Sequence, residues 1–346
     1  MRRLGVLLLV LALTACARNT PIDPAVLAPP SPIASVSTQP DHVTLPQDDA
    51  PHHDLTEWWY YTGHLFGPEG RTYGFELVFF QVERRDDPPG YAAHFAITDN
   101  YREDFHFQER SASGEQIHAS AGLDLNLSGW TLQGGNGNDH LSADMPNYAM
   151  DLHLSAVKPP VLHDGKGLIS FGAAGDSYYY SRTRMQIGGT LTDHGQPVQV
   201  NGTAWMDHQW GNFVSAGGGW DWFSIQLDDQ SEFMLFFLRN PDGKPSVPYG
   251  TYVAPDGSAT VLGPQSFPEQ PTGSWQSRES GITYPSGWTV TAGDTTLSLT
   301  PTVKDQELRT AESTGITYWE GDVTITGTKA GQPITGLGYV ELVGYH

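Results

Sequence analysis

Beyond residue 50 the chain reads as short runs in which apolar and aromatic residues alternate with polar ones. That is the period-two pattern of strands with one buried face. Such runs span residues 71–82, 92–98, 148–156, 178–187, 223–227, 233–238, 288–292, 295–299 and 323–328. Turn signals stand between them: Pro68-Glu69-Gly70, Asp193-His194-Gly195, Pro241-Asp242-Gly243 and Pro255-Asp256-Gly257. No amphipathic helix is legible. Many short strands at this spacing predict an all-β chain, an antiparallel barrel or sandwich.

Two stretches repeat weakly. Residues 180–207 carry a Tyr, then Gly189-Thr190, then Gly195-Gln196-Pro197-Val198, then Gly202. The chain from Tyr318 carries Gly327-Thr328, then Gly331-Gln332-Pro333-Ile334, then Gly338. The shared order predicts two related β-domains, divided in the glycine-rich loop near Ala216-Gly217-Gly218-Gly219.

The N-terminus differs in kind. Met-Arg-Arg, an apolar run over residues 4–13 and Thr14-Ala15-Cys16 form a secretory signal too short to span a membrane. Leu13-Thr14-Ala15-Cys16 looks like a bacterial lipobox, so Cys16 is expected to carry the lipid that fixes the chain to a membrane. Residues 17–51, rich in Pro, Ser, Thr and Ala, read as an unstructured tether. This is the chain's one cysteine, so no disulfide forms within a molecule and the core must hold the fold. A formal charge of −21 disfavours nucleic acid as a partner.

Three clusters mix aromatics with ionisable groups, which a plain β-core does not need. In Glu57-Trp58-Trp59-Tyr60-Tyr61, alternation puts Glu57, Trp59 and Tyr61 on one face. In the second, Tyr178, Tyr180, Arg182 and Arg184 share a face. In the third, Trp205, Asp207 and Gln209 oppose Met206, His208 and Trp210, and Trp220-Asp221-Trp222 follows closely. Asp207, Glu57 and Asp221 are candidate proton donors, provided burial keeps them protonated. Trp59, Trp205, Trp210 and Trp222 offer faces to a cation, and His208 can hold or shuttle a proton. The bland reading is a structural network in which Arg182 and Arg184 pair with Asp207 or Glu57, lowering the acids' pKa. No Gly-x-Ser-x-Gly elbow, phosphate-binding glycine loop, His-x-His or His-Glu-x-x-His pattern is present, so neither a serine nucleophile, a cofactor nor a metal is indicated.

The segments His53 to Leu65, Tyr178 to Arg184 and Gly202 to Gly211 are similar to the carotenoid 1,2-hydratase (hydroxyneurosporene synthase) and AttH-like family of the lipocalin-like superfamily. Tyr318-Trp319-Glu320-Gly321 and Gly338-Tyr339-Val340-Glu341-Leu342 continue the likeness, which covers residues 44–346. The resemblance implies two lipocalin-like barrels in tandem, over 44–215 and 216–346, after a signal (1–15) and a tether (16–43). It implies binding of a hydrophobic, isoprenoid or polyene-like molecule and a hydratase-type lyase that hydrates or isomerises a C=C bond by acid catalysis; the clusters offer Trp59, Tyr61, Tyr178, Tyr180, Arg182, Arg184, Trp205, Trp210, Trp220 and Trp222 as ligand contacts. His208-Gln209-Trp210 matches the family's His-x-Trp element. Where the hydratases have Tyr-x-Asp, this chain has Trp220-Asp221-Trp222, so their proton donor does not carry over. The alternative is a non-catalytic carrier of an apolar ligand at the cell envelope.

Overall fold

The computed structural model describes residues 40–84, 87–114, 122–170, 175–213, 218–240, 242–264 and 266–346. Cys16 and the signal lie outside them. Among the described residues no helix is long and apolar enough to cross a membrane.

The first sheet comprises β1 (Thr56–Phe66), β2 (Thr72–Arg84), β3 (Asp87–Asp99), β4 (Asp104–Ser113), β5 (Leu123–Leu127), β6 (Trp130–Gly135), β7 (Asn138–Met145), β8 (Tyr148–Ala156), β9 (Val161–Leu162), β10 (Leu168–Ser170), β11 (Asp176–Asp193) and β12 (Gln196–Gly211). Their order is β4-β3-β2-β1-β12-β11-β8-β7-β6-β5, with β9 and β10 beside β11. The sheet curls until β4 and β5 meet across one core. In β5, Leu123, Leu125 and Leu127 point inward while Asp124 and Asn126 face solvent. Each such leucine contributes roughly 1.5–3 kcal/mol by burial.

The second sheet comprises β13 (Trp220–Leu227), β14 (Glu232–Arg239), β15 (Pro245–Val253), β16 (Ala259–Leu262), β17 (Glu269–Pro271), β20 (Trp288–Ala292), β21 (Thr295–Pro301), β22 (Glu307–Arg309), β23 (Thr317–Lys329) and β24 (Gln332–Val343). A two-stranded piece, β18 (Ser274–Gln276) with β19 (Thr283–Pro285), stands apart. The order β16-β15-β14-β13-β24-β23-β21-β20-β17 repeats that of the first sheet. The chain is thus all-β, two lipocalin-like antiparallel barrels in tandem, the second the more open.

The sequence repeat falls on the hairpins β11–β12 and β23–β24, and its glycines have a steric cause. A Cβ on Gly202 would lie 1.9 Å from the His64 carbonyl oxygen, and one on Gly338 would lie 2.4 Å from that of Ser224. Gly189 and Gly327 meet Asp151 and Thr296 carbonyls in the same way, at 2.2 and 2.1 Å. Each glycine lets a neighbouring strand approach at an equivalent point of its barrel.

Residues 40–55 form a strap at one end of the first barrel. Val43 is buried in its core and donates its N–H to the Lys166 carbonyl at 2.8 Å. Tyr178 donates its hydroxyl to the Pro40 carbonyl. The barrels meet through outward faces, β1, β2, β11 and β12 against β13, β14, β23 and β24. Tyr60, Val78, Tyr179, Trp205, Trp222 and Phe236 form the apolar seam.

Candidate functional site

Alternation along β1 and β12 divides the candidate residues between two places. Glu57, Trp59 and Tyr61 point into the first barrel, as do Met206, His208 and Trp210. Trp58, Tyr60, Trp205 and Asp207 point toward the second barrel. On β11 the expected shared face breaks. The ladder with β12 slips between Arg182 and Met185, so Thr183 and Arg184 together face the single residue Trp205. This bulge turns Arg184 outward, away from Tyr178, Tyr180 and Arg182. Arg184 donates to Glu232 Oε1 at 2.6 Å beside Lys158, which reaches Oε2 of the same carboxylate at 2.7 Å.

Inside the first barrel the carboxylates have cations or a full set of donors. Glu57 accepts from His208 Nε2 at 2.7 Å, His52 Nδ1 at 2.8 Å and the His52 backbone N–H at 2.8 Å. Burial opposes charge on His52, but Asp48 and Glu57 raise its pKa to about 9. Burial lowers that of His208. With Nε2–H committed to Glu57, His208 Nδ1 is a buried lone pair with no partner among the described residues. His52 stacks on Trp210 with centroids 4.0 Å apart, and Trp59 stacks on His208 at 4.9 Å. Deeper in, Asp49 accepts from Arg182 at 3.0 Å and from the Tyr180 hydroxyl at 2.5 Å. The Tyr61 hydroxyl donates to Asp139 at 3.0 Å. A narrow, partly open crevice with room for little more than a water lies between Trp59, Phe79, Tyr91, Leu125 and Leu127. Trp59 separates it from His208.

Between the barrels Glu232 is paired with Arg184 and Lys158, whereas Asp207, Glu76 and Glu320 have no cation in contact among the described residues. Asp207 is buried, and burial pushes its pKa up to about 7 against the opposing hydrogen bonds of Ser181, Tyr179 and Trp205. Those donors occupy both oxygens: Trp205 Nε1 at 2.7 Å and the Ser181 hydroxyl on Oδ1, the Tyr179 hydroxyl at 2.5 Å on Oδ2. Trp222 Nε1 in turn donates to Tyr179 at 3.1 Å. Asp207 therefore has no free oxygen for a substrate.

Nearby stands a pair that the sequence-based reading did not single out. Glu76 projects from β2 and Glu320 from β23, one from each barrel, at 1% and 0% exposure. Burial raises Glu76 to about 8 against the Tyr318 hydrogen bond, with help from Glu341. Burial and the neighbouring Glu76 push Glu320 well above the usual carboxylate range. The Tyr318 hydroxyl lies 3.0 Å from Glu76 Oε1 and the Tyr60 hydroxyl 2.7 Å from Glu320 Oε1. The second oxygen of each, Oε2, is buried without a partner among the described residues. Glu341 keeps some solvent contact, accepts from Trp220 Nε1 at 2.6 Å and is raised to about 7 by burial. Glu76 and Glu320 carry protons at neutral pH, and aromatic rings from both barrels enclose them.

Asp221 lies elsewhere. It faces the interior of the second barrel, where Arg239 Nη1 at 3.0 Å and the Tyr345 hydroxyl at 2.9 Å hold it. Burial raises its pKa while Arg239 lowers it. The structure thus brings Asp207, Trp205, Trp220 and Trp222 to the seam, keeps Glu57, His208, Trp59, Tyr61, Tyr178, Tyr180, Arg182 and Trp210 within the first barrel, and leaves Asp221 apart from both. The signal for the missed acids is a lone glutamate inside an apolar run: Phe75-Glu76-Leu77, Trp319-Glu320-Gly321 and Val340-Glu341-Leu342.

Two tandem lipocalin-like barrels with proton-bearing acids in their seam define a class of acid–base or ligand-binding protein. The AttH-like family model matches residues 36–345, and the chain belongs to that family. It is similar to kievitone hydratase of Fusarium solani subsp. phaseoli, 24% identical over 301 residues that cover 82% of this chain and 81% of that protein. A crystal structure from Nitrosomonas europaea assigned as AttH superposes with a TM-score of 0.81 at 30% identity, covering 91% of this chain and all of the other. Kievitone hydratase from Nectria haematococca shares the fold, with a TM-score of 0.73 at 18% identity over 88% of this chain and 93% of that one. Family and relatives support a hydratase-like or ligand-binding role.

Proposed function

We propose that this protein is a cell-envelope lipoprotein, anchored through Cys16, that adds water across a carbon–carbon double bond of an apolar, prenyl-bearing substrate held between its barrels. The observation that carries this reading is the Glu76–Glu320 pair. Two buried acids from different barrels keep their protons, and each has one oxygen without a partner among the described residues. Similarity to a kievitone hydratase supports the reaction type.

One carboxyl of the pair gives its proton through Oε2 to the less substituted alkene carbon. The positive charge that develops on the other carbon faces the new carboxylate and the Tyr60 and Tyr318 rings, which attract a cation. A water oxygen then bonds to that carbon and returns a proton to the carboxylate, restoring the acid. The second carboxyl stays neutral, so the new carboxylate meets no like charge from it. A positioned acid contributes about 10²–10⁴-fold in rate. His208 Nδ1, though free, faces the first-barrel interior and is no part of this site.

The test incubates the full chain in detergent with kievitone and a panel of apolar isoprenoid and polyene compounds, followed by mass spectrometry of bound and released molecules. The expected product is heavier by one water, and Glu320→Gln lowers kcat by roughly 10³-fold. Retention of ligand without conversion overturns the enzyme reading in favour of a carrier. If no apolar molecule is converted or retained, both readings fail.

A further inference from the structure

Glu76 is sealed from solvent, yet a chain of hydrogen bonds leaves it. The Tyr318 hydroxyl touches Glu76 Oε1 at 3.0 Å and His94 Nδ1 at 2.7 Å. His94 Nε2 lies 3.0 Å from Ser313 Oγ. The Ser313 hydroxyl meets Glu109 Oε2, on the half-buried edge strand β4. His94, Ser313 and Tyr318 are all buried. With His94 neutral and Glu76 protonated, every link has one donor and one acceptor. Glu76 donates to Tyr318, Tyr318 to His94 Nδ1, His94 Nε2–H to Ser313, and Ser313 to the Glu109 carboxylate.

We propose that this chain is a proton relay joining the buried acid pair to solvent at Glu109. One proton leaves Glu76, each link passes its own proton on, and one arrives on Glu109. The reverse transfer restores the start, and nothing is oxidised or reduced. Burial holds His94 down to about 3, which keeps the ring a neutral carrier. Without the relay, Glu76 exchanges protons only when the barrels part.

This rests on the acid-pair reading for its purpose but not for its test. In infrared spectra the protonated carboxyl band of Glu76 is assigned by its loss in Glu76→Gln, whose amide N–H still offers Tyr318 a donor. After a jump into D₂O, the wild-type full chain should deuterate that band at least tenfold faster than His94→Phe or Ser313→Ala, with backbone amide exchange unchanged. Equal rates in these variants overturn the relay, as does absence of the band at pH 7. Slowed exchange in a protein that hydrates no substrate leaves the relay standing and sinks the hydratase reading instead.

A separate observation lies on the outer face of the first barrel. His140 of β7 stands directly opposite His153 of β8, their rings stacked 4.4 Å apart and 14° from parallel. Asp151, two residues from His153 and so on the same face, accepts from His140 Nε2 at 3.0 Å. The three ligand-type atoms lie within 4.8 Å of one another. On the next strand Gly188 faces His153 and leaves the space above it bare. We infer that these residues form a surface site for a divalent transition metal, two imidazoles and one carboxylate with open positions for water. Such ligands suit Zn²⁺ and Ni²⁺ and bind Cu²⁺ most tightly. Calorimetric titration of the chelator-treated full chain with ZnCl₂ and CuCl₂ should show one equivalent lost, or weakened at least tenfold, in the double variant His140→Gln/His153→Gln. Cu²⁺ electron paramagnetic resonance should show two nitrogen ligands in the wild type. Binding that the double variant leaves intact, or no binding below 100 μM metal, overturns the site; that ceiling is roughly 5.5 kcal/mol of binding free energy.

Discussion

The inward and outward faces of the same strands treat the same side chain in opposite ways. Inside the first barrel, Glu57 sits against two histidines and Asp49 against Arg182, so burial is offset by cations and donors. At the seam, Glu76 and Glu320 are as deeply buried but have only tyrosine hydroxyls, and they keep their protons. Depth of burial alone therefore does not fix the state of a carboxyl. What matters is whether a cation was buried with it. The inner acids are suited to holding structure and the outer ones to giving up protons.

The contrast breaks most visibly at Arg182. Arg182→Met leaves the Asp49 carboxylate buried without its cation and should cost about 3–5 kcal/mol in urea denaturation. A loss under about 1 kcal/mol would mean that Asp49 takes up a proton as the seam acids do. Glu57→Gln, which keeps one acceptor for three donors, should cost about 1.5–3 kcal/mol. It should also lower the His52 pKa from about 9 in an NMR titration; an unmoved His52 would show that Asp48 alone holds its charge.

At the seam the sign reverses with pH. The folded-state pKa of Glu76 is raised, so the native chain holds a proton that the unfolded chain has lost. The stability this lends is full below about 4.5 and disappears as pH rises toward about 8. Plotted against pH, the difference in unfolding free energy between wild type and Glu76→Gln should fall by about 1.4 kcal/mol per unit across that window. A flat difference would mean that Glu76 holds no extra proton in the native chain. The smallest effect belongs to Asp207→Asn. It leaves one of three donors without its acceptor and should cost about 1 kcal/mol, with less loss of turnover than Glu320→Gln. Equal losses of turnover would return Asp207 to the reacting group.

Much of this arrangement was legible in the chain. Period-two alternation located strands such as β8 and β20, and it put His208 and Asp207 on opposite faces before any fold was known. The glycine repeat pointed to two related sheets because close strand approach needs glycine at matching places. Arg184 was misplaced because a bulge depends on the partner strand, and nothing within Tyr178 to Arg184 announces it. Glu76 was passed over for a similar reason: a glutamate between Phe75 and Leu77 reads as the solvent side of a strand. Only the second barrel, packed over that side, turns it into a buried acid. Strands β5 to β7 were not picked out, since Gly, Asn and Asp interrupt their short apolar runs.

The strap over residues 40–55 has a mechanical consequence. Its first described residue is clasped by Tyr178, and a few positions later Asp49 is locked to Arg182 and Tyr180. Any pull arriving along the upstream chain is taken up by β11 and the wall of the first barrel, and none of it falls directly on the seam.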